Sequence, residues 1–281
     1  MSFKDILVIV DNTKSCAQRL DVALHVAKEH GAHLTALFVR TVPHVPQFVM
    51  SQLGPEVADV QKRYAKEAAT AARAVFDAKT RNCGVNTEWR ETSGVLIDQC
   101  LLHAKYSDLV IAGQTDAKDD STAEGQADLL DHLVLEAGRP VLLVPFAGQF
   151  TAVGQRVLVA WNGTREAARA LNDALPMLKK ADNVHVIAVN PRGGNGRDGH
   201  GEVPSADIAL HLARHGVKAE ANAVDSDGMS AGEALVARAA KENIDLIVMG
   251  AYGRSRLREL VLGGATRHML RNMTVPVLMS H

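Results

Sequence analysis

Aromatic residues are scarce in this sequence: six Phe, three Tyr and two Trp make up 4% of 281 residues. A core with so few rings must be filled by aliphatic side chains, which suits helices packed on a parallel sheet. Net charge is also nearly absent, a formal −1 from 31 basic and 32 acidic residues. No basic stripe interrupts that balance, so neither nucleic-acid binding through backbone phosphates nor attachment to an anionic membrane is expected. Three cysteines, Cys16, Cys83 and Cys100, stand far apart without a CxxC pair. They read as reduced thiols, not as a disulfide framework. No apolar run approaches the roughly 20 residues that cross a bilayer. Met1-Ser2-Phe3-Lys4-Asp5 enters an apolar run without a signal-peptide core, and a cytoplasmic protein is expected.

What is present is a buried-core composition, 47% hydrophobic and 22% charged. The length suits two domains of about 140 residues each. The chain also says the same thing twice. "DILVIVDNTKSCAQRLDVALHVAKEHGAHLTALFV" (5–39) matches "RVLVAWNGTREAARALNDALPMLKKADNVHVIAVN" (156–190) in an apolar run, a polar turn ending in threonine, an amphipathic helix and a second strand. Asp11-Asn12-Thr13 falls on Asn162-Gly163-Thr164. "SDLVIAG" (107–113) matches "IDLIVMG" (244–250), and "RPVLLVP" (139–145) matches "VPVLMSH" (275–281). Two tandem copies follow, 1–147 and 153–281, divided at the glycine-bearing stretch "FAGQFTAVGQ" (146–155).

Short Val- and Ile-rich runs alternating with helical patterns predict two doubly wound α/β domains with parallel sheets. The expected strands are 5–10, 33–39, 85–90, 108–113 and 141–144, then 156–161, 184–189, 217–223, 245–249 and 276–279. The halves differ in the middle. A long alanine-rich helix is expected over 56–80. In the second half "PRGGNGRDGHGEVPS" (191–205) replaces much of it and reads as a flexible loop, since its glycines fit no phosphate motif and Asp198 and Glu202 would repel an anion.

The chemistry-bearing stretch is "GAYGRSRLRELVLGGAT" (250–266), directly after an apolar strand. Gly250 and Gly253 fall at that strand's carboxyl end, and Gly263 and Gly264 at the start of a helix running through Ala265 and Thr266. Ligands of open α/β sheets bind at such strand ends. Glycine lets backbone N–H groups approach an anion, and unpaired amides at a helix start complete the site. Thr266 offers a hydroxyl, and Arg254 or Arg256 a positive charge. Turn-making alone is the competing reading of these glycines.

This spacing, Gly-x-x-Gly, nine residues, Gly, resembles that of nucleotide-binding members of the universal stress protein family in its tandem two-domain form, over essentially the whole chain. The resemblance implies ATP, with Mg²⁺, as ligand of the second half, its triphosphate surrounded by the backbone amides from Gly250 to Gly264. It places a ribose contact on Asn162, beside Gly163 and Thr164, and an adenine contact near Val189, with Met249 lining the base pocket. Asn162 stands where the family has aspartate, and Gly264 where it has Ser or Thr, so weakened binding is expected. The resemblance also implies that the last strands of the two halves, Val141–Val144 and Val275–Met279, pair antiparallel as an intramolecular pseudo-dimer, with homodimerisation of the whole chain left open. In the first half Asp11 is present, but no Gly-x-x-Gly follows Gly113. Asp116, Asp119, Asp120 and Glu124 stand where phosphates would sit, and a degenerate site is expected there.

Other signals lead nowhere. There is no Walker A or GxGxxG sequence, and no GxSxG elbow surrounds Ser121, Ser205 or Ser255. His211 and His215 lack further metal ligands by spacing, and Cys100 reads as a small buried hydrophobe. No general base or committed metal set for hydrolysis is legible. The expected function is a nucleotide-binding stress-response regulator that is not a fast enzyme. The alternatives are a nucleotide-independent scaffold with both sites decayed and, last, an adenylating enzyme.

Overall fold

The structure, a computed structural model, describes residues 2–41, 56–116, 118–119, 125–189, 204–224, 228–253 and 264–281. The first half runs β1 (Asp5–Val10), α1 (Cys16–His30), β2 (His33–Arg40), α2 (Glu56–Thr80), β3 (Thr87–Ser93), α3 (Leu96–Ala104), β4 (Leu109–Gly113), α4 (Gln126–Glu136) and β5 (Val141–Val144). The second runs β6 (Arg156–Ala160), α5 (Arg165–Leu178), β7 (Asn183–Val189), α6 (Pro204–Arg214), β8 (Ala219–Val224), α7 (Ala231–Lys241), β9 (Leu246–Gly250), α8 (Gly264–Asn272) and β10 (Val277–Ser280).

All ten strands form one sheet in the order β3-β2-β1-β4-β5-β10-β9-β6-β7-β8. Pairing is parallel within each half and antiparallel only where the halves meet, with Val277 opposite Leu143, Leu278 opposite Leu142 and Met279 opposite Val141. Helices cover both faces, so strand residues are buried on both sides and read as unbroken apolar runs. Ile6, Val8 and Leu34 enter the layer that also holds Leu171 and Val248. Leu7, Ile9 and Leu37 point oppositely, into the layer of Leu133, Leu235 and Ile247. Each layer draws on both halves.

Local chemistry sets the helix ends. Gly31 takes φ 60°, a left-handed stop, and its N–H reaches Ala27 O and Lys28 O. Thr164 caps α5 by accepting from Ala167 N, behind which Ala167, Ala170, Leu171, Ala174 and Leu178 make one buried face. Ser230 and Glu233 form a capping box on α7. The repeat extends to a hydrogen-bonding device at the opposite sheet end. Asp108 accepts from Lys4 N and Asp5 N, and Asp245 accepts from Gly154 N, Gln155 N and Arg156 N.

Most strand limits fall within one residue of the sequence reading, and two strands, β3 and β8, depart further. β3 runs Thr87–Ser93, not 85–90, because Gly84 turns left-handed at φ 71° and the pairing with β2 begins only at Leu34–Thr87. β8 starts at Ala219, not 217, since Val217 N still closes the end of α6 on Leu212 O. Most of the glycine-rich loop expected over 191–205 lies outside the described residues, and α6 already begins at Pro204.

Candidate functional site

Strand order reverses once in each half, between β1 and β4 and between β6 and β9. These are the switch points where open α/β sheets hold ligands beyond the strands' carboxyl ends. The two crevices grow from equivalent residues and finish differently.

In the first crevice Asp11 follows β1, and its carboxylate is fully engaged. Arg19, on α1 and 2% exposed, grips it bidentately at 2.8 and 3.0 Å. Thr13 donates to it from its amide and its hydroxyl at 3.0 and 2.5 Å, and Gln126 Nε2 at 3.0 Å. Burial alone would raise this carboxyl. The Arg19 charge and the hydrogen bonds from Arg19 and Thr13 more than offset that and hold it below the usual carboxylate range. Arg19 also donates to Ile9 O at 2.7 Å, and its guanidinium lies so close to Gly113 that a Cβ there would meet Cζ at 2.8 Å. The side chain therefore plugs the gap between β1 and β4. Amides beyond it are spent too: Lys14 N donates to Asp119 Oδ2 at 3.1 Å and Lys118 N to Asp116 Oδ1 at 2.9 Å.

In the second crevice neither charge is present. Asn162 replaces the aspartate, and Ala170, fully buried, stands eight residues on where the first half has Arg19. A pocket of about 240 Å³ opens here. Its apolar lining comes from Ala160, Ile187, Val189, Leu235 and Met249, and its polar lining from Asn162, Gly250, Gly253, Gly264 and Thr266, completed by Trp161, Ala231, Tyr252 and Ala265. Asn162 is exposed, and its Oδ1 accepts from Thr164 N at 3.2 Å and Thr164 Oγ1 at 2.8 Å. Gly163 and Thr164 shape that turn and do not line the pocket. Arg254 and Gly263 lie outside the described residues.

The motif glycines divide by what surrounds them. A Cβ on Gly250 would stand 2.4 Å from Ala167 N and 2.5 Å from Glu166 C, inside the backbone of α5. Helix packing therefore requires that glycine whether or not a ligand binds. Around Gly253 the nearest atom to such a Cβ is Glu166 Oε2 at 3.9 Å, and around Gly264 nothing lies within 4 Å. No packing among the described residues explains these two, and both border the pocket beside the first turn of α8, whose leading amides have no intrahelical acceptor.

Thr266 takes a packing role beside the pocket, and Tyr252, Glu166 and Arg19 escape sequence reasoning. Thr266, expected as a ligand donor, is 4% exposed, and its Oγ1 accepts from Tyr252 N at 3.3 Å, tying the strand end to α8. Tyr252 holds a left-handed φ of 54°, and its hydroxyl donates across the seam to Asp131 on α4. Glu166 is 1% exposed. Its Oε1 meets Arg165 Nε at 2.5 Å, while Oε2 has no hydrogen-bond partner among the described residues. Burial raises its carboxyl, but the hydrogen bonds from Arg165 and Thr164 prevail and keep it below the ordinary value. Arg19 and Glu166 carried one usable signal, a charge on the apolar face of a helix beside an Asx turn. Cys100 is fully buried, and burial pushes its thiol up to about 12. Among the described residues no group of three or more His, Cys, Asp or Glu could hold a metal, and no helix is long and apolar enough to cross a membrane.

A five-stranded doubly wound unit, duplicated and joined through its last strands, with a glycine-lined crevice at one switch point, defines a class of tandem α/β proteins. Comparison with known proteins narrows this. The model of the universal stress protein family matches residues 2–145 and again 154–281, and the chain belongs to that family. It is 25% identical over 294 residues to the universal stress protein Slr1230 of Synechocystis, covering 98% of this chain and 99% of that one. Its fold is similar to that of a universal stress protein of Archaeoglobus fulgidus, with a TM-score of 0.69 at 17% identity, covering 98% and 97% of the two chains. A second structure, from Pseudomonas aeruginosa, matches with a TM-score of 0.56 at 17% identity, covering 99% and 93%.

Proposed function

We propose that this protein is a stress-response regulator of the cytoplasm whose second half, 153–281, binds an adenine nucleotide, with ATP as the parent case. Phosphates lie over the strand end at Gly250–Gly253 and the first turn of α8 at Gly264–Thr266. The ribose meets Asn162, and the base lies against Val189 and Met249. Mg²⁺ arrives with the phosphates, since the described residues supply no metal cluster of their own. The first half, 1–147, completes the sheet and contributes Asp131 behind the glycine motif. Bound nucleotide changes the stability or assembly of the chain and is not turned over rapidly. The observation that carries this reading is the space left by the described residues around Gly253 and Gly264, on the crevice of a switch point whose β1–β4 gap is plugged by Arg19 in the first half.

A melting curve with and without Mg·ATP tests it. Ligand at 100 times its dissociation constant stabilises by about 2.7 kcal/mol, a rise of several degrees. Gly264→Asp places a carboxylate in the cradle without a steric clash and is expected to abolish the rise while leaving the unliganded melt near wild type. No shift in either protein would move the molecule to the nucleotide-independent reading, and equal shifts in both would mean that nucleotide binds outside the Gly264 cradle.

A further inference from the structure

We propose that the first half carries a ligand site of its own, for an uncharged and mostly apolar small molecule. It occupies a pocket of about 540 Å³ at the carboxyl ends of β1 and β2, walled by α2 and the starts of α3 and α4. That volume is more than twice the second-half pocket's and lies in the range of small-molecule sites. Ile9, Phe38, Ala65, Ala68, Leu96 and Leu129 supply apolar lining, and the ring of Tyr64, 62% exposed, stands at the rim.

The class of ligand follows from how the charges around the pocket are used. Three charged side chains line it besides neutral polar groups, and each is already paired within the chain. Asp11 is held by Arg19 at 2.8 Å, Arg40 by Glu91 at 2.9 Å, and Glu67 faces Arg63 at 3.9 Å. Four backbone amides beyond β1 and β4, those of Thr13, Lys14, Lys118 and Gln114, are consumed as well, by Asp11, Asp119, Asp116 and the carbonyl of Val144. Those same carboxylates repel an anion. A charged ligand would have to leave water without a partner, which is costly, whereas an uncharged one gains from covering the aliphatic wall. This half has thus kept the base side of the crevice and lost the phosphate side. The proposal stands whether or not the second half binds nucleotide.

The probe is N-phenyl-1-naphthylamine, an uncharged fluorophore, titrated into the full chain. Saturable enhancement at one site is expected, unchanged by Mg·ATP. Its anionic relative, anilinonaphthalene sulfonate, is expected to bind roughly tenfold more weakly or worse, because its charge finds no partner. Ala68→Trp and Ala65→Trp, on successive turns of α2 and both only half-buried, fill the pocket and are each expected to lose the signal with an unchanged far-UV spectrum. Absence of saturable binding, equal binding of the sulfonate, displacement by Mg·ATP, or retention of the signal in the folded Trp variants would overturn the proposal. The comparison of the two dyes uses the wild-type chain and so does not depend on any variant folding.

Discussion

Gly250→Ala is the substitution for which the structure makes its sharpest stability statement. The added methyl would lie 2.4 Å from Ala167 N and 2.9 Å from Ala167 Cα, about 1 Å inside normal contact. The obstacle is helix backbone, which cannot swing aside as a side chain can. Relief requires α5 to lift from β9, and α5 is anchored there by Ala167, Ala170, Leu171, Ala174 and Leu178. Overpacking of a well-filled core costs about 1–3 kcal/mol, and a rigid obstacle puts this case near 3. At roughly 2–4 °C per kcal/mol for a chain of this size, the melting temperature should fall by about 6–12 °C. Gly264→Ala is the matched control: its methyl meets nothing within 4 Å and replaces glycine in a helix, so it should be neutral or stabilising by a few tenths of a kcal/mol. Urea melts of the two variants, read as midpoint at constant slope, separate these outcomes. If both variants melt together, the division of the motif into a packing glycine and a ligand-facing glycine is wrong.

Three further predictions come from buried charge. Arg19→Met leaves Asp11 buried without its partner and should destabilise the protein by about 3 kcal/mol; adding Asp11→Asn should restore most of that in urea unfolding. Burial, and after it the positive charge of Lys180, depresses His30 to about 4 from the ordinary 6.5. A base whose folded pKa is depressed takes up its proton more readily when unfolded. Its contribution is therefore complete above pH 6.5 and is lost as pH falls from 6.5 through 4, by roughly 2 kcal/mol, and stability measured against pH should flatten in that window in His30→Gln. Glu166→Gln removes a buried negative charge beneath Gly253 and should tighten Mg·ATP several-fold in a calorimetric titration; unchanged or weaker binding would mean that this carboxylate assists the site.

Much of the architecture was legible because it is written in local periodicities. The matched turns Asp11-Asn12-Thr13 and Asn162-Gly163-Thr164 marked two copies, and the apolar runs of β1, β4, β6 and β9 lie where the alternation put them. The pocket residues Asn162, Val189, Met249, Gly250, Gly253, Gly264, Ala265 and Thr266 came together, since strand ends of a doubly wound sheet converge whatever the loops between them. The weakest boundaries were those of the outer strands β3 and β8, whose burial is partial and whose limits depend on the register with a neighbour.

The sequence by itself determined the duplicated α/β fold and the place where a ligand crevice must open, because hydrophobic period and turn chemistry act over a few residues. Tertiary structure alone decided which crevice keeps its phosphate side open and why each glycine is there. Arg19 closes the first gap only because α1 brings it under Gly113. Gly250 is required by a helix that begins 85 residues earlier in the chain, and Tyr252 is tethered to Asp131 across 121 residues. Such contacts are set by packing between distant segments, and no local pattern records them.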